Sequence, residues 1–225
     1  MGDLQAWRRP DERQTLYFGQ CEARAYGPLA AAVGEACYTT VDAASTDVVA
    51  ALVAAGFSEH RREHEYEIPV SRVGAPLPYG INVISAGDTA LDELMALDCA
   101  LREDVPGADG WQPDAQWFRE ETYDSPYFDP ATYLVAQDGA RYVGLARIWN
   151  GPQPLPRLGL VGVLPGYRRR GLARALVARA MAPLADRGAD TFTAEADVAS
   201  LPANALLTGF GGRVVGGSVE LFRSR

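Results

Sequence analysis

The spacing of apolar and polar residues along the chain predicts an alternation of strands and helices. Short apolar runs predict strands at residues 81–85, 133–137, 141–149 and 158–163. Apolar residues at helical spacing predict helices at residues 89–103, 114–123 and 171–187. Asp138-Gly139 separates the second and third strands, which is a strong hairpin signal. This order favours the α/β (α+β) class, with a mixed central sheet flanked by helices.

An internal repeat relates residues 28–67 to residues 183–222. Shifting the chain by 155 positions aligns the two ranges without a gap, and ten of the 40 paired residues are identical. The identical pairs include Asp42–Asp197, Ser45–Ser200 and Gly56–Gly211. Asp and Ser are preferred at helix N-caps and Gly at left-handed helix ends, so each copy predicts a strand, a helix and a second strand.

The stretch Pro76–Tyr79 indicates a linker, because it holds two prolines and no periodicity. We therefore expect three parts: a truncated N-terminal half-repeat at residues 1–75, a linker at 76–80 and the main domain at 81–225. The first of these parts is expected to be structural.

The composition is that of a globular protein, with 48% hydrophobic and 22% charged residues in a chain of 225. All 21 basic residues are arginine, and 29 acidic residues give a formal net charge of −8. Phosphate backbones and anionic membranes require a basic surface, so we expect neither a nucleic-acid nor a membrane partner.

The cysteines and the apolar runs further limit the class of protein and its compartment. Cys21, Cys37 and Cys99 are an odd number without short spacing, which argues against a disulfide framework or a zinc cluster. The N-terminal residues lack the apolar stretch of a secretory signal, and the longest apolar run is about half of a membrane span. We expect a cytoplasmic protein, either a monomer or a homodimer.

One stretch, from Leu160 to Ala173, combines the features of a phosphate site. A predicted strand ends in a turn, after which three arginines and Gly171 begin an amphipathic helix. The start of a helix exposes unpaired N–H groups and the positive end of the helix dipole. Glycine lets the backbone approach an anion closely, and arginines add forked donors.

At these residues the chain resembles the GCN5-related N-acetyltransferase (GNAT) superfamily. The family's acetyl-CoA signature, Arg/Gln-x-x-Gly-x-Gly/Ala, is present as Arg168-Arg-Arg-Gly171-Leu-Ala173, after Val161-Gly-Val163. The resemblance covers about residues 80–225 and implies the GNAT fold, with two strands that splay around the thioester. It implies acetyl transfer from acetyl-CoA to an amine, without a metal. The cofactor-binding residues that it implies are Val161, Gly162, Val163, Arg168, Arg169, Arg170, Gly171, Leu172, Ala173, Arg174, Ser200 and Asn204.

The chain departs from the family at its catalytic positions. Ser200 stands where the family usually has Asn, and Leu207 stands where a Tyr usually protonates the leaving thiolate. The frequent Glu of the fourth strand is also missing, which leaves Glu195 on the fifth strand as the candidate base or water relay. The alternative is a solvent-facing Glu195. Because Leu207 donates no proton, another group or water serves, or the protein is a non-catalytic acyl-CoA-binding module.

The first repeat copy lacks the arginine–glycine loop. The shift of 155 puts Arg13, Leu16 and Phe18 where Arg168, Gly171 and Ala173 stand. Without the glycine we expect no phosphate binding there. The layout resembles tandem acetyltransferases with one inactive repeat, such as mycothiol synthase-like proteins, and the first copy is expected to cover a sheet edge or one wall of the acceptor site.

His60-Arg-Arg-Glu-His64 spells H-x-x-E-H, a metalloprotease signature when it lies on a helix. The repeat instead places it on a strand, where the two histidines are about 13 Å apart and cannot share a metal. We expect no metal and interpret the stretch as an edge strand guarded by charge.

Charge is distributed unevenly along the main domain. Residues 157–187 hold seven arginines and one acidic residue, whereas residues 88–129 hold twelve acidic residues and two arginines. An acidic segment opposite a basic phosphate floor suggests a small, cationic, amine-bearing acceptor, and solvated helix faces are the alternative. Trp111, Trp117, Tyr123 and Tyr127 are candidates for the pocket lining or for the core.

Overall fold

The computed structural model describes residues 4–19, 21–72, 74–108, 110–151 and 154–225. Ten strands form one sheet, and six α-helices pack on it within these residues. The strands are β1 (Leu4–Arg8), β2 (Gln14–Phe18), β3 (Cys37–Asp42), β4 (Ser58–Pro69), β5 (Ile81–Ser85), β6 (Tyr133–Asp138), β7 (Arg141–Trp149), β8 (Arg157–Val163), β9 (Thr191–Asp197) and β10 (Arg213–Arg223). The helices are α1 (Tyr26–Val33), α2 (Thr46–Ala54), α3 (Leu91–Arg102), α4 (Ala115–Thr122), α5 (Leu172–Asp186) and α6 (Leu201–Thr208).

The sheet is mixed, in the order β1-β2-β3-β10-β4-β9-β8-β7-β6-β5. The β2–β3 and β8–β9 pairs are parallel and the other neighbours are antiparallel. The predicted α/β class with a mixed sheet flanked by helices is confirmed. None of the helices within the described residues is long and apolar enough to cross a membrane.

Capping and turn residues that are recognisable in the sequence lie at the ends of helices and strands in the main domain. Asp114 caps α4, because its Oδ1 accepts a hydrogen bond from the Trp117 N–H at 2.8 Å. Gly139 has a φ of 59° in the β6–β7 hairpin turn, a conformation that glycine adopts without strain. Gly188 ends α5 with a φ of 77°.

Side-chain alternation gives the sheet two different faces. On one face, Phe192, Ala194 and Ala196 of β9 share a buried core with residues of α5 and α6. On the other face, β6 and β7 share a second core with α3, in which Tyr133 and Leu145 are fully buried. The α3 face is the one that concerns the candidate site.

A local twofold axis relates the two segments that the 155-residue shift aligns. Glu63 of β4 pairs with Ser218 of β10, and the register on either side is symmetric about this pair. The pairs Glu65–Gly216 and Arg61–Glu220 correspond to each other, and so do the pairs Asp42–Ser218 and Glu63–Asp197. β4 and β10 also have one bulge residue each, His60 and Val215, and these two positions are again 155 residues apart.

The final strands of the two segments are exchanged. β10 lies between β3 and β4, and β4 lies between β10 and β9. The interpretation of β4 as an edge strand is therefore wrong, because β10 hydrogen-bonds along its other side. The division at residues 76–80 and the origin of residues 1–75 in a second acetyltransferase half stay predictions.

We expect Gly217→Ala to destabilise the fold by about 1–3 kcal/mol, as overpacking in a tight site does. A Cβ at Gly217 would lie 2.3 Å from the Glu63 carbonyl oxygen, so β4 and β10 would have to separate beside the local axis. Urea unfolding measures the change. Gly166→Ala is the matched control, since a Cβ there meets nothing within 4 Å. Equal losses in the two variants would contradict the close approach of β4 and β10.

Candidate functional site

The parallel strands β8 and β9 separate to form a groove. They pair only at Arg157–Thr193 and Leu158–Ala194, after which no pairing joins them within the described residues. A register shift against β7 makes Gly159 an extra residue, and such a bulge bends its strand. Val161, Gly162 and Val163 follow the bulge and form the β8 wall of the groove.

Glycines let neighbouring groups close in on the β8 wall. A Cβ at Gly159 would lie 2.5 Å from Nε1 of Trp149, and a Cβ at Gly162 would lie 3.1 Å from Leu101 of α3. The Trp149 ring and the end of α3 therefore lie directly against the backbone of β8. Any side chain at these two positions would displace them.

The loop between β8 and α5 has the backbone of an anion site. Arg169 and Gly171 have φ values of 63° and 81°, and α5 begins at the next residue, Leu172. The first hydrogen bond of the helix runs from the Ala175 N–H to the Gly171 carbonyl at 2.9 Å. The amides of residues 172–174 therefore have no helical acceptor, and the positive end of the dipole lies here.

The loop arginines divide into two kinds. Arg168 and Arg174 brace the loop: Arg168 Nε donates to the Val163 carbonyl at 2.8 Å, and Arg174 donates to the Gly209 carbonyl at 3.0 Å. Arg168 also forms an ion pair with Asp104. Arg169 and Arg170 are exposed, as Gly171 is, and a Cβ at Gly171 would meet nothing within 4 Å. The space beside Gly171 is therefore open to solvent. Leu172 and Ala173 follow as the first residues of α5, with Leu172 buried in the core.

Ser200 and Asn204 lie at the start of α6, after β9. Ser200 is the N-cap residue, and its side chain makes no capping hydrogen bond. Asn204 is occupied: its Nδ2 donates to the carbonyls of Asp197 and Ser200, and its Oδ1 accepts the Tyr66 hydroxyl at 2.7 Å. These bonds tie α6 to β9 and β4 and use the amide that a cofactor contact would need.

Glu195 lies at the apex of the groove, directly after the last β8–β9 pair. Alternation places it on the α3 face, opposite to Ala194 and Ala196. Its carboxylate forms an ion pair with Arg157, the first residue of β8. Burial lowers the pKa of Arg157, but the carboxylates of Glu195, Glu63 and Glu65 together outweigh burial and hold that pKa above its usual value.

Acidic residues face each other across β4 and β9 beside the apex. Glu65 pairs with Glu195, and Glu63 pairs with Asp197, so two like-charged pairs are adjacent on the α3 face. Arg61 neutralises Glu63 at 2.6 Å, whereas no ion pair to the exposed Glu65 is formed within the described residues. Sequence reasoning missed Glu65 at the site. Its signal was the alternation of glutamates along β4.

Leu207 is 3% exposed in the core between the sheet and its helices. It lies away from solvent among apolar groups, so this position supplies no proton. The two histidines of H-x-x-E-H lie on a strand, as predicted: His60 packs against Tyr38 and Phe222, and His64 packs against Tyr66. Among the described residues, no group of three or more His, Cys, Asp or Glu is arranged to hold a metal.

The acidic α3 segment contributes one buried charge cluster. Asp98 is 1% exposed, and its carboxylate contacts Arg102 and lies 3.6 Å from Nη1 of Arg147. The Arg147 guanidinium lies 4.7 Å from the Trp149 ring centroid and 5.4 Å from that of Tyr133. Burial raises the pKa of Tyr133 to about 12, so its hydroxyl stays protonated at neutral pH. The cluster fastens α3 to β7 beside Gly159.

The aromatic residues of this segment pack among themselves. The Trp111 and Trp117 rings meet edge to face with centroids 5.6 Å apart, and the Tyr123 hydroxyl is 2.8 Å from Oγ1 of Thr89. Tyr127 is exposed. These contacts belong to the fold around α3 and α4.

In the N-terminal segment, the parallel pair β2–β3 corresponds to the parallel pair β8–β9 that opens into the groove. Thr15, opposite Tyr38, corresponds to Arg157, opposite Thr193, so the 155-residue shift does not extend to β2. Leu16 and Phe18 therefore lie on a strand, and their alignment with the phosphate loop was wrong. A cavity of about 230 Å³ lies here. It is lined by Tyr17, Phe18, Tyr26, Thr39, Thr40, Val41, Asp42, Ser45, Val48 and Leu52.

A parallel pair of strands that opens beside an arginine–glycine helix start defines an acyl-CoA-dependent N-acyltransferase fold. A family model for the acetyltransferase (GNAT) family matches residues 96–211, and the chain therefore belongs to this family. No curated protein matches the chain.

Solved structures share the fold at low sequence identity. A GCN5-related N-acetyltransferase from Sphaerobacter thermophilus is 18% identical, with a TM-score of 0.75 over 98% of this chain and 76% of that one. One from Kribbella flavida is 16% identical, with a TM-score of 0.62 over 96% and 82%. A tandem GNAT protein from the clavulanic acid biosynthesis pathway is 13% identical, with a TM-score of 0.68 over 99% and 78%.

Proposed function

We propose that the protein transfers an acetyl group from acetyl-CoA to a primary amine of a small, cationic molecule. The observation that carries this proposal is the groove between β8 and β9, which opens beside the helix start at Gly171. The amides of residues 169–174 would hold the pyrophosphate, supported by Arg169 and Arg170. The backbone of Val161 and Val163 would bind the pantetheine arm as an added strand.

The apex of the groove is where acyl transfer would occur. Glu195 lies there on the α3 face, with Arg157 orienting its carboxylate. An amine attacks only when it is neutral, so a base that takes its proton, directly or through water, speeds the step. Glu195 is our proposed base. Water protonates the leaving thiolate in this scheme, since Leu207 is buried and apolar.

The carboxylates beside the apex favour a cationic acceptor. Like charges directly opposite each other on neighbouring strands destabilise a sheet. Glu65 faces Glu195, and the Arg157 guanidinium pairs with Glu195 and also interacts electrostatically with Glu65. Since one positive charge faces two negative ones, a bound ammonium group would offset the remaining charge, which supports a polyamine-like or aminoglycoside-like acceptor.

We expect the protein to release CoA thiol from acetyl-CoA when an amine such as spermidine or kanamycin is added. Glu195→Gln keeps the shape of the side chain but removes the base, so turnover should fall by about 10²-fold. A thiol-reactive dye measures the rate. Glu67→Gln is the control. Glu67 lies on the same face of β4 as Glu65, but its partner on β9 is the neutral Thr193.

The second candidate function is a non-catalytic acyl-CoA-binding module, which the buried Leu207 favours. Acetyl-CoA binding without amine-dependent thiol release for any amine would support the module and overturn the transferase. Unchanged turnover in Glu195→Gln would remove Glu195 as the base.

A further inference from the structure

Residues 103–108 connect α3 to the loop before α4, and we call them the crossing segment. One end is anchored beside β8, where Leu101 contacts Gly162 and Asp104 pairs with Arg168. The other end is held from the far side of β9. There the Pro106 carbonyl accepts from Nη1 of Arg61, a residue of β4, at 3.2 Å. The crossing segment therefore connects the loop that follows β8 with β4, the strand on the other side of β9.

Two arginines of the β1–β2 turn hold the same end. The Gly107 carbonyl accepts from Nη2 of Arg9 at 3.3 Å and from Nη1 of Arg13 at 3.0 Å. The fit is close, because a Cβ at Gly107 would lie 2.5 Å from Nε of Arg61. Arg9 also lies 6.0 Å from the Trp111 ring centroid, and Arg102 lies 4.5 Å from it.

These arginines are themselves fixed by buried carboxylates. Glu220 of β10 is 4% exposed and accepts from Nε of Arg61 at 2.9 Å and from Nη1 of Arg9 at 3.4 Å. The Asp11 carboxylate, which is also buried, lies 2.8 Å from Nη2 of Arg9. Forked guanidinium groups held by two carboxylates have little freedom to move, so the carbonyls that they contact are held in place.

We propose that Arg61, Arg9 and Arg13 are positioning residues that set the acceptor side of the groove by fixing the crossing segment. The inference rests on the proposed transferase function. It assigns the N-terminal part of the chain a role in acceptor selection, because the crossing segment that these arginines hold forms one wall of the opening through which the amine reaches the apex. Binding of the acceptor therefore depends on this wall, whereas binding of acetyl-CoA depends on the loop between β8 and α5.

The test compares Arg61→Ala with Arg62→Ala. Arg62 is the neighbouring residue of β4, half-exposed and paired with Glu59, and it makes no contact with the crossing segment among the described residues. In Arg61→Ala we expect at least tenfold faster hydrogen exchange at residues 103–108 and at least a tenfold higher KM for spermidine. The kcat and the Kd for acetyl-CoA should change by less than about threefold. Arg62→Ala should match the unsubstituted protein.

Arg61→Lys separates positioning from charge. Lysine keeps the charge but lacks the fork that joins Glu220, Glu63 and the Pro106 carbonyl. The KM of Arg61→Lys for spermidine should therefore lie between that of the unsubstituted protein and that of Arg61→Ala. If Arg61→Ala does not fold, Arg9→Ala replaces it, since Arg61 then still neutralises Glu220.

Two results would overturn the inference. Unchanged exchange at residues 103–108 would show that the arginines do not fix the segment. Faster exchange with an unchanged KM would show that the segment is not an acceptor wall. The absence of turnover in the unsubstituted protein would overturn the proposed function and with it the acceptor role, whereas the exchange result would still decide whether the arginines hold the segment.

Discussion

The double variant Arg170→Glu, Gly171→Trp is expected to bind acetyl-CoA at least 100-fold more weakly than the unsubstituted protein. The Arg170 change replaces an exposed cation with an anion at the positive end of α5. The Gly171 change places an indole in the open space beside the first turn of α5. Losing about 3 kcal/mol of charge-assisted hydrogen bonds corresponds to about 100-fold in Kd, which isothermal titration calorimetry measures directly.

The N-terminal segment offers a matched control, Arg24→Glu with Gly34→Trp. Gly34 has a φ of 75°, close to the 81° of Gly171, and a Cβ at either glycine meets nothing within 4 Å. Arg24 is an exposed arginine near the start of α1. The control therefore carries the same backbone strain and charge change, and it should keep its affinity. Equal affinities in the two double variants would place the phosphate site elsewhere.

Asp98→Asn is expected to lower the free energy of unfolding by about 3 kcal/mol. Asparagine keeps the volume of the side chain but removes the negative charge that compensates the buried Arg147 and the largely buried Arg102. Breaking a buried ion pair from one side costs about 3–5 kcal/mol because an uncompensated charge remains. The partial exposure of Arg102 to water puts the expectation at the lower end. Urea unfolding monitored by tryptophan fluorescence measures it.

Asp92→Asn is the control for this change. Asp92 lies on the same helix but in its first turn, where it is exposed and interacts with the dipole. We expect a loss below about 1 kcal/mol there. If both variants lost the same stability, the Asp98 cluster would not fasten α3 to the sheet.

Features that depend on neighbouring residues could be predicted from the sequence. The strand, the turn and Gly171 before α5 are adjacent in the chain, and their propensities agree on one geometry. The 155-residue shift also aligned strand with strand and helix with helix. It failed at Arg13, Leu16 and Phe18, mainly because α1 has eight residues whereas α5 has fifteen, so the strand before the helix lies at a different shift.

Features that depend on distant residues could not be predicted. The alternating charges of β4 suggested an edge strand, but β10 crosses over and covers it. The hydrogen bonds that Asn204 makes with Tyr66 and two backbone carbonyls also depend on residues that are distant in the sequence or on the fold of α6. Glu65 comes to the apex only because β4 pairs with β9. The compartment, the oligomeric state and the cofactor contacts of individual residues stay predictions.

The sequence by itself determined the class of the fold, the strand–turn–helix arrangement around Gly171 and the family, because these depend on short-range pattern and on a local motif. Only the tertiary structure decided which strands are neighbours, and through them which charges meet. The exchange of β4 and β10 places Arg61 against Glu220 and brings the first hairpin to the crossing segment. Such pairings depend on long-range strand order, which side-chain periodicity does not encode.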